Sequence, residues 1–407
     1  MRLRKLNRVT NHLFHRTKND NFDIILYEGN GEELAVGTGG MRRPLDTMSI
    51  AQSLRFEDSS LHYDITSSGN TRTFTFSAWV KRSSLGGSSG QYIYQDGRTS
   101  STSSLNFDAN DYIVTPAFGF ISTVESPTQL GIKPIFVDIN KDNFSISINE
   151  LKKIIVKAKK ENIKIKGVIT ADLFGTPANY SELLEVCKEN SLLWINDGAQ
   201  AFGSKYNKKS ITLYSDVTTT SFFPSKPLGC YGDGGCVFTE SKKIASRIAS
   251  LRVHGKGKNK YDNILVGLNS RLDSIQAMIL LEKLKLFKKE IKRRNEISDY
   301  YLRNLCKHVK LPYKQDKSDS VWSQFTIRTK NRDNLKEFLI QKKIPSMIYY
   351  PKPHNKQKAY KKFTGFNNSL INTQQACDEV LSIPIHGYMC NSQVEYIVET
   401  INDFYKI

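Results

Sequence analysis

Three stretches of this chain gather residue types able to do covalent and acid–base chemistry. TSFFPSKPLGCYGDGG places Lys226 between two prolines, with Ser221 five residues before it and glycines at 229, 232, 234 and 235. LLWINDGAQAFG puts Asp197 just past an apolar run and Gln200 three residues later. TPAFGFIST carries Phe120 shortly after Pro116. A lysine held in a constrained loop can form a Schiff base with an aldehyde cofactor. A carboxylate nearby can keep a pyridinium nitrogen protonated, so that the ring stays an electron sink. An aromatic face can stack on that ring, and a hydroxyl with backbone amides can hold a phosphate.

Each residue also has a plainer reading. Lys226 is one of 41 lysines and can be a solvated charge. Asp197 can cap a helix, Phe120 can be core, and Cys230 and Cys236 read as buried small apolar groups rather than nucleophiles. As a set, Lys226, Asp197, Phe120 and Ser221 meet the requirements of pyridoxal 5′-phosphate.

The elements around them read as an α/β enzyme. GIKPIFVDI (131–139), IKGVITA (165–171), LLWIND (192–197), DVTTTSFF (216–223) and GCVFTE (235–240) are strand-like. Helical patterns over 147–160 and 180–190 separate them, which predicts a mostly parallel sheet with helices on both faces. Loaded loops then fall at the carboxyl ends of strands, where open α/β sheets bind ligands. A long helix is expected over about 271–306. Strands VWSQFTIRT (321–329) and SMIYY (346–350) and helices over 332–343, 373–381 and 392–405 follow, as a small α+β C-terminal domain. The division expected is a large α/β domain over 111–285 and a small one over 286–407.

Composition changes near residue 110. Residues 1–110 hold ten Arg and three Lys against eleven acids, whereas 111–407 hold eight Arg and 38 Lys against 29 acids. Nearly all of the net charge of +19 therefore belongs to the second piece. Its lysines fall on the outer faces of amphipathic helices such as LKKIIVKAKK, so a solvated basic surface is expected and no nucleic-acid partner. No stretch is apolar enough to span a membrane, and MRLRKLNRVTNHLF lacks the apolar core of a secretory signal. The six cysteines have neither a C-x-x-C pair nor histidines at ligand spacing, which fits free thiols in a cytoplasmic protein and no structural zinc.

Residues 111–407 resemble the DegT/DnrJ/StrS family of sugar aminotransferases, of the fold-type-I, aspartate-aminotransferase-like class. The resemblance rests on TPAFGFISTVES, GIKPIFVDI, ADLFGTPANY, WINDGAQAFG, TSFFPSKPLGCYGDGG, LRVHGKGKNKYDN, VGLNSRLDSIQAMILLEKL, VWSQFTIR, IYYPKPHNKQKAY and LSIPIHGY, in that order. It implies that Lys226 carries the cofactor and then shuttles protons, that Asp197 pairs with the pyridine nitrogen, and that Gln200 lies against the ring or its phenolic oxygen. Phe120 would stack on the ring and Ser221 would bind the phosphate. Asn269 would reach the phosphate from the second subunit of a homodimer. The implied reaction moves an amino group from glutamate to a keto group on a nucleotide-linked sugar for surface polysaccharide synthesis. The motif wording resembles the branch acting on UDP-linked 3-keto hexuronic acids, and the basic loop 252–260 suits an anionic pyrophosphate.

Two departures stand out. The family pattern YP-x-PLH-x-Q-x-AY appears as YPKPHNKQKAY, so Asn355 stands where a histidine is usual. Residues 1–110 also lack the family's Gly-Thr-x-Ala/Ser segment, whose backbone amides hold the phosphate. VGTGG (36–40) has similar letters, but MRRPLDT follows it, and it reads as a loop. Segments 25–34 and 50–86 instead resemble phage-tail and laminin-G-like jelly-roll modules, cut too short for a whole sandwich. Two rival readings follow: an inactive remnant lacking the phosphate segment, or a glycan-binding protein whose working part is the front.

Overall fold

The apolar runs at 133–137, 165–171 and 193–197 become strands of one six-stranded sheet. The computed structural model describes residues 111–313, 316–363, 366 and 369–406. The readings made for 1–110, including the jelly-roll-like fragment and the VGTGG loop, lie outside the described residues. The sheet strands are β1 (Tyr112–Pro116), β2 (Lys133–Val137), β3 (Ile165–Ala171), β4 (Leu193–Asp197), β7 (Val217–Ser221) and β8 (Gly235–Phe238). Their spatial order is β2-β1-β3-β4-β7-β8. All pairs are parallel except β7 with β8, which is antiparallel.

Register sets up the site. Ala171 of β3 pairs with Asp197 of β4, and Asp197 pairs with Thr219 of β7. Side chains alternate along a strand, so Asp197, Thr219 and Ser221 share one face. The opposite face buries Val114, Val137, Val168 and Trp194 against two helices, α2 (Ile148–Lys160) and α3 (Tyr180–Glu189). In α2 the apolar side chains Leu151, Ile154, Ile155 and Ala158 fall at helical spacing and are buried, while lysines fill its last turn. Ser147 caps that helix, its hydroxyl accepting from the Glu150 amide at 3.4 Å. Each buried Ile, Leu or Val contributes about 1.5–3 kcal/mol of transfer free energy, so this face alone fixes the strand register.

Helix α1 (Ser122–Gln129) follows β1 and packs Val124 against Phe136 on the other side of the sheet. The sequence reading did not find this helix, which is only eight residues long and contains Pro127. Short pairs β5 (Lys205–Tyr206), β6 (Lys209–Ser210) and β9 (Ser318–Asp319) form a separate three-stranded ribbon. Helix α4 (Lys242–Leu251) then leads to the basic loop.

Helix α5 (Ser274–Asn304) joins the two units. Its first half sets Leu280 and Phe287 among Phe202, Phe222, Cys230 and Phe238, and its second half sets Ile297 and Tyr301 among Trp322, Phe325 and Leu335. Buried Arg294 of α5 donates from one Nη to the carbonyls of Trp322 (2.9 Å) and Ile385 (3.0 Å). The small unit pairs β10 (Phe325–Arg328) with β11 (Val380–Ile383), antiparallel, and surrounds them with α6 (Arg332–Gln341), α7 (Ile371–Glu379) and α8 (Asn391–Phe404). Two expectations need adjusting here. The helix expected over 373–381 ends at Glu379 because VLSI enters the β10 ladder. The strand expected over 346–350 is reduced to one bridge, Met347 with Ser382. Among the described residues, no helix is long and apolar enough to cross a membrane.

Candidate active site

The carboxyl ends of β1, β3, β4 and β7 meet above the sheet, and the loaded loops meet with them. Asp197 is the last residue of β4. One carboxylate oxygen accepts from the Thr123 hydroxyl at 2.7 Å, and the other from the Ala199 amide at 3.0 Å. A turn rather than a helix follows it, so Asp197 orders that turn and does not cap a helix.

Lys226 lies on the loop after β7. Phe222 is fully buried, donates its amide to the Gly234 carbonyl (2.8 Å) and accepts from the Cys230 amide (2.7 Å), which closes the loop at its base. The Lys226 amide in turn donates to the Phe223 carbonyl at 2.9 Å. Gly229 is required by close approach: a Cβ there would stand 2.7 Å from the carbonyl oxygens of both Phe223 and Pro224. Lys283 of α5 donates to the Gly229 carbonyl at 2.6 Å and fixes the loop from outside. Burial pushes the Lys226 ammonium below the usual lysine range, and Asp197 acts against that shift. Among the described residues the Lys226 amine has no ion-pair partner. Ser221 ends β7, and its hydroxyl accepts from the Phe223 amide at 3.2 Å.

Phe120 is half exposed (50 %), and its ring centroid lies 6.1 Å from that of Tyr350. Neighbouring Phe118 points the other way, fully buried against Phe144, Phe174 and Tyr350. Gln200 is buried, with Oε1 accepting from the Phe174 amide (2.6 Å) and Nε2 donating to the Tyr350 hydroxyl (2.9 Å). Burial holds the Tyr350 hydroxyl well above the usual phenol range, and the Asp197 charge adds to that. With Oε1 and one Nε2 hydrogen engaged inside the chain, Gln200 offers chiefly its flat face to a neighbour.

Asp197, Lys226, Gln200 and Phe120 are thus brought together, directly or through Thr123 and Tyr350. Asn269 is not part of this group. It lies exposed on the loop after α4, paired with Val253 across a bridge. Asn355 sits in the short 3-10 turn His354–Lys356, and its Oδ1 is a buried acceptor without a partner among the described residues. Cys230 and Cys236 are buried and outside any disulfide, as read from the sequence. Burial raises the Cys230 thiol above its usual range. Sequence reasoning missed Thr123 and Tyr350. Thr123 lies only three residues past Phe120, and Tyr350 opens the YPKPHNKQKAY motif, so each had a signal in a segment already singled out.

The ring end of a pyridoxal group fits this donor set: an amine at the loop tip, a carboxylate oriented by two donors, and a free aromatic face. Ser221 would supply the hydroxyl for the phosphate.

Comparisons with known proteins agree with that chemistry. A sequence profile of the DegT/DnrJ/EryC1/StrS aminotransferase family matches residues 100–402, starting somewhat before the 111 read from the motifs. UDP-2-acetamido-2-deoxy-3-oxo-D-glucuronate aminotransferase of Pseudomonas aeruginosa is 34 % identical over 300 residues, covering 74 % of this chain and 81 % of that protein. A DegT/DnrJ/EryC1/StrS aminotransferase from Brucella abortus superposes with a TM-score of 0.71 at 36 % identity, over 73 % of this chain and 80 % of that one. NtdA of Bacillus subtilis, solved with bound cofactor PMP, gives a TM-score of 0.66 at 25 % identity, over 73 % of this chain and 68 % of that one. The chain belongs to the DegT/DnrJ/EryC1/StrS aminotransferase family.

Proposed function

We propose that this aminotransferase uses pyridoxal 5′-phosphate to move an amino group from glutamate to a keto group on a nucleotide-activated sugar. The observation that carries the reading is the partly buried Lys226 amine on the loop after β7, within electrostatic reach of the Asp197 carboxylate that Thr123 orients at 2.7 Å. When bound, the cofactor supplies an electron sink conjugated to the amino-bearing carbon.

The chain's own groups divide the remaining work. Lys226 would hold the cofactor aldehyde through its amine, and its Nζ would carry a proton to and from the reacting carbon. Burial favours the neutral form of that amine, and the Asp197 charge opposes it. Asp197 holds a proton on the ring nitrogen, and Thr123 with the Ala199 amide keeps its oxygens aimed. Phe120 covers one ring face, Gln200 supports the ring, and Ser221 anchors the phosphate. Asn269, exposed on its loop, reaches the phosphate of a second copy in a homodimer. Glutamate leaves as 2-oxoglutarate, and the keto sugar then takes up the nitrogen.

The sugar in this reading is a UDP-linked 3-keto hexuronic acid. The name of the Pseudomonas aeruginosa relative supports it. Basic residues Arg252, Lys256, Lys258 and Lys260 give the loop after α4 a charge suited to a pyrophosphate. A cytoplasmic setting suits a user of nucleotide sugars.

The test is the visible spectrum of the purified chain with pyridoxal phosphate, before and after borohydride. We expect a reducible band in the wild type and none in Lys226→Ala. A band that survives unchanged in the variant would remove Lys226 from the reading. Turnover with a UDP-3-keto hexuronate above that with a dTDP-3-keto-6-deoxyhexose would support the sugar assignment.

A further inference from the structure

The loop 117–121 presents Phe120 and leads directly into the helix that presents Thr123 to Asp197. It is fixed at its start by β1, where the Ala117 amide donates to the Val137 carbonyl at 2.9 Å. It is fixed at its end by the first turn of α1, where the Thr123 amide donates to the Phe120 carbonyl at 3.3 Å. Between these points Tyr350 of the small unit packs on Phe118 and Phe120, and His354 of the same unit bonds the loop backbone. The His354 amide donates to the Ala117 carbonyl at 2.8 Å, and its ring Nε2 lies 3.0 Å from the Gly119 carbonyl oxygen.

His354 is only 2 % exposed, with its ring centroid 6.0 Å from that of Phe136. A carbonyl can only accept, so Nε2 carries the hydrogen and donates. Nδ1 is a buried atom with no partner among the described residues. Burial lowers the His354 pKa and favours the neutral Nε2–H form, against the Gly119, Pro116 and Phe120 backbone groups that favour a charged ring. In the YP-x-PLH-x-Q pattern this position is leucine, which can fill the space but cannot bond the carbonyl.

We infer that His354 is a positioning residue: its Nε2–H holds the Gly119 carbonyl and thereby sets Phe120 and Thr123 against the cofactor ring and Asp197. This rests on the proposed function above for its catalytic consequence, and on the loop geometry alone for its structural one.

The experiment compares His354→Leu, which keeps the bulk and loses the donor, with His354→Gln, which keeps an N–H able to reach the carbonyl. Hydrogen exchange of the amides 118–121 is measured on the full chain without added cofactor. Pyridoxal phosphate affinity is then measured by absorbance titration, and KM and kcat are separated for glutamate. We expect exchange to rise and cofactor affinity to fall about tenfold in His354→Leu, with most of both restored in His354→Gln. Unchanged loop exchange in His354→Leu would overturn the inference. Equal losses in both folded variants would also overturn it, since packing and not the hydrogen bond would then be responsible. A wild type that binds no pyridoxal phosphate would defeat the proposed function, while the exchange measurement would still decide whether His354 holds the loop.

Discussion

Two carboxylates end neighbouring strands of the sheet, yet they live in opposite surroundings. Asp172 follows β3 and turns to the helical side. It accepts there from the Tyr180 hydroxyl, from Asn196 Nδ2 at 2.7 Å and from the Ala178 amide at 3.1 Å. Asp197 ends β4 and turns to the open side, partly buried, with Thr123, Ala199 and the Lys226 charge around it. The backbones touch, since the Asp172 amide donates to the Asp197 carbonyl at 3.0 Å. Burial pushes Asp172 up to about 6 despite its three donors. The same residue type thus serves structure on one side of the strand ends and, in the proposed function, chemistry on the other.

Asp197→Asn should produce the largest effect. The amide keeps the shape and can accept the Thr123 hydrogen bond, but it cannot carry the charge that holds a ring proton. We expect the glutamate half-reaction to slow on the order of a thousandfold while the thermal midpoint moves little. Stopped-flow absorbance with a melting curve checks both. A tenfold loss or less would place Asp197 with Asp172 as a structural carboxylate.

Asp172→Ala should reverse that pattern. Three buried donors lose their acceptor, which costs about 3 kcal/mol of stability, while turnover per folded molecule changes little. Urea unfolding and active-site titration separate the two quantities. The pH dependence follows from the raised pKa. A carboxyl that titrates near 6 in the fold and near 3.8 unfolded favours folding when protonated. Its contribution is complete below about pH 4 and is lost as pH rises through about 6, a swing of about 3 kcal/mol. Asp172→Asn is neutral throughout, so its unfolding midpoint should lack this fall between pH 4 and 7. An unchanged slope would mean that Asp172 is already ionised at the low end of that window.

Thr123→Val removes one of the two donors that aim Asp197 while keeping the side-chain volume. About a tenfold loss of turnover is expected, with the Asp197→Asn background insensitive to it, because the two act through one carboxylate. Additive losses in the double variant would show that Thr123 acts elsewhere.

The strands were legible because IKGVITA and LLWIND read as short, nearly continuous apolar runs, the first buried over its last five residues. Lys226, Asp197, Gln200 and Phe120 were legible because each stands in a short motif at a strand end. Their supporting residues were not, since the contacts join distant parts of the chain. Thr123 reaches Asp197 across 74 positions, Gln200 reaches Tyr350 across 150, and His354 reaches Gly119 across 235. No periodicity records such pairings. The overrun of the 373–381 helix has a local cause: apolar residues continue from α7 into VLSI, and only pairing with β10 decides that they extend.

Tyr180→Phe should have the smallest effect and tests the helical side alone. Tyr180 is fully buried, and its hydroxyl both donates to Asp172 and accepts from Asn196 Nδ2 at 2.9 Å. Its ring packs 5.1 Å from Trp194, whose indole nitrogen donates to Thr170 Oγ1 at 2.8 Å. Phenylalanine keeps the ring contacts, and Asn196 still donates to Asp172, so only one hydroxyl is lost. A destabilisation of about 1 kcal/mol is expected, with KM and kcat for glutamate unchanged. Removing a donor to the carboxylate also favours its protonated form, so the Asp172 titration should move upward and the pH-dependent fall in stability should extend to higher pH. A measurable change in kcat would mean that the two carboxylates communicate through the shared strand ends, and the separation between them would no longer hold.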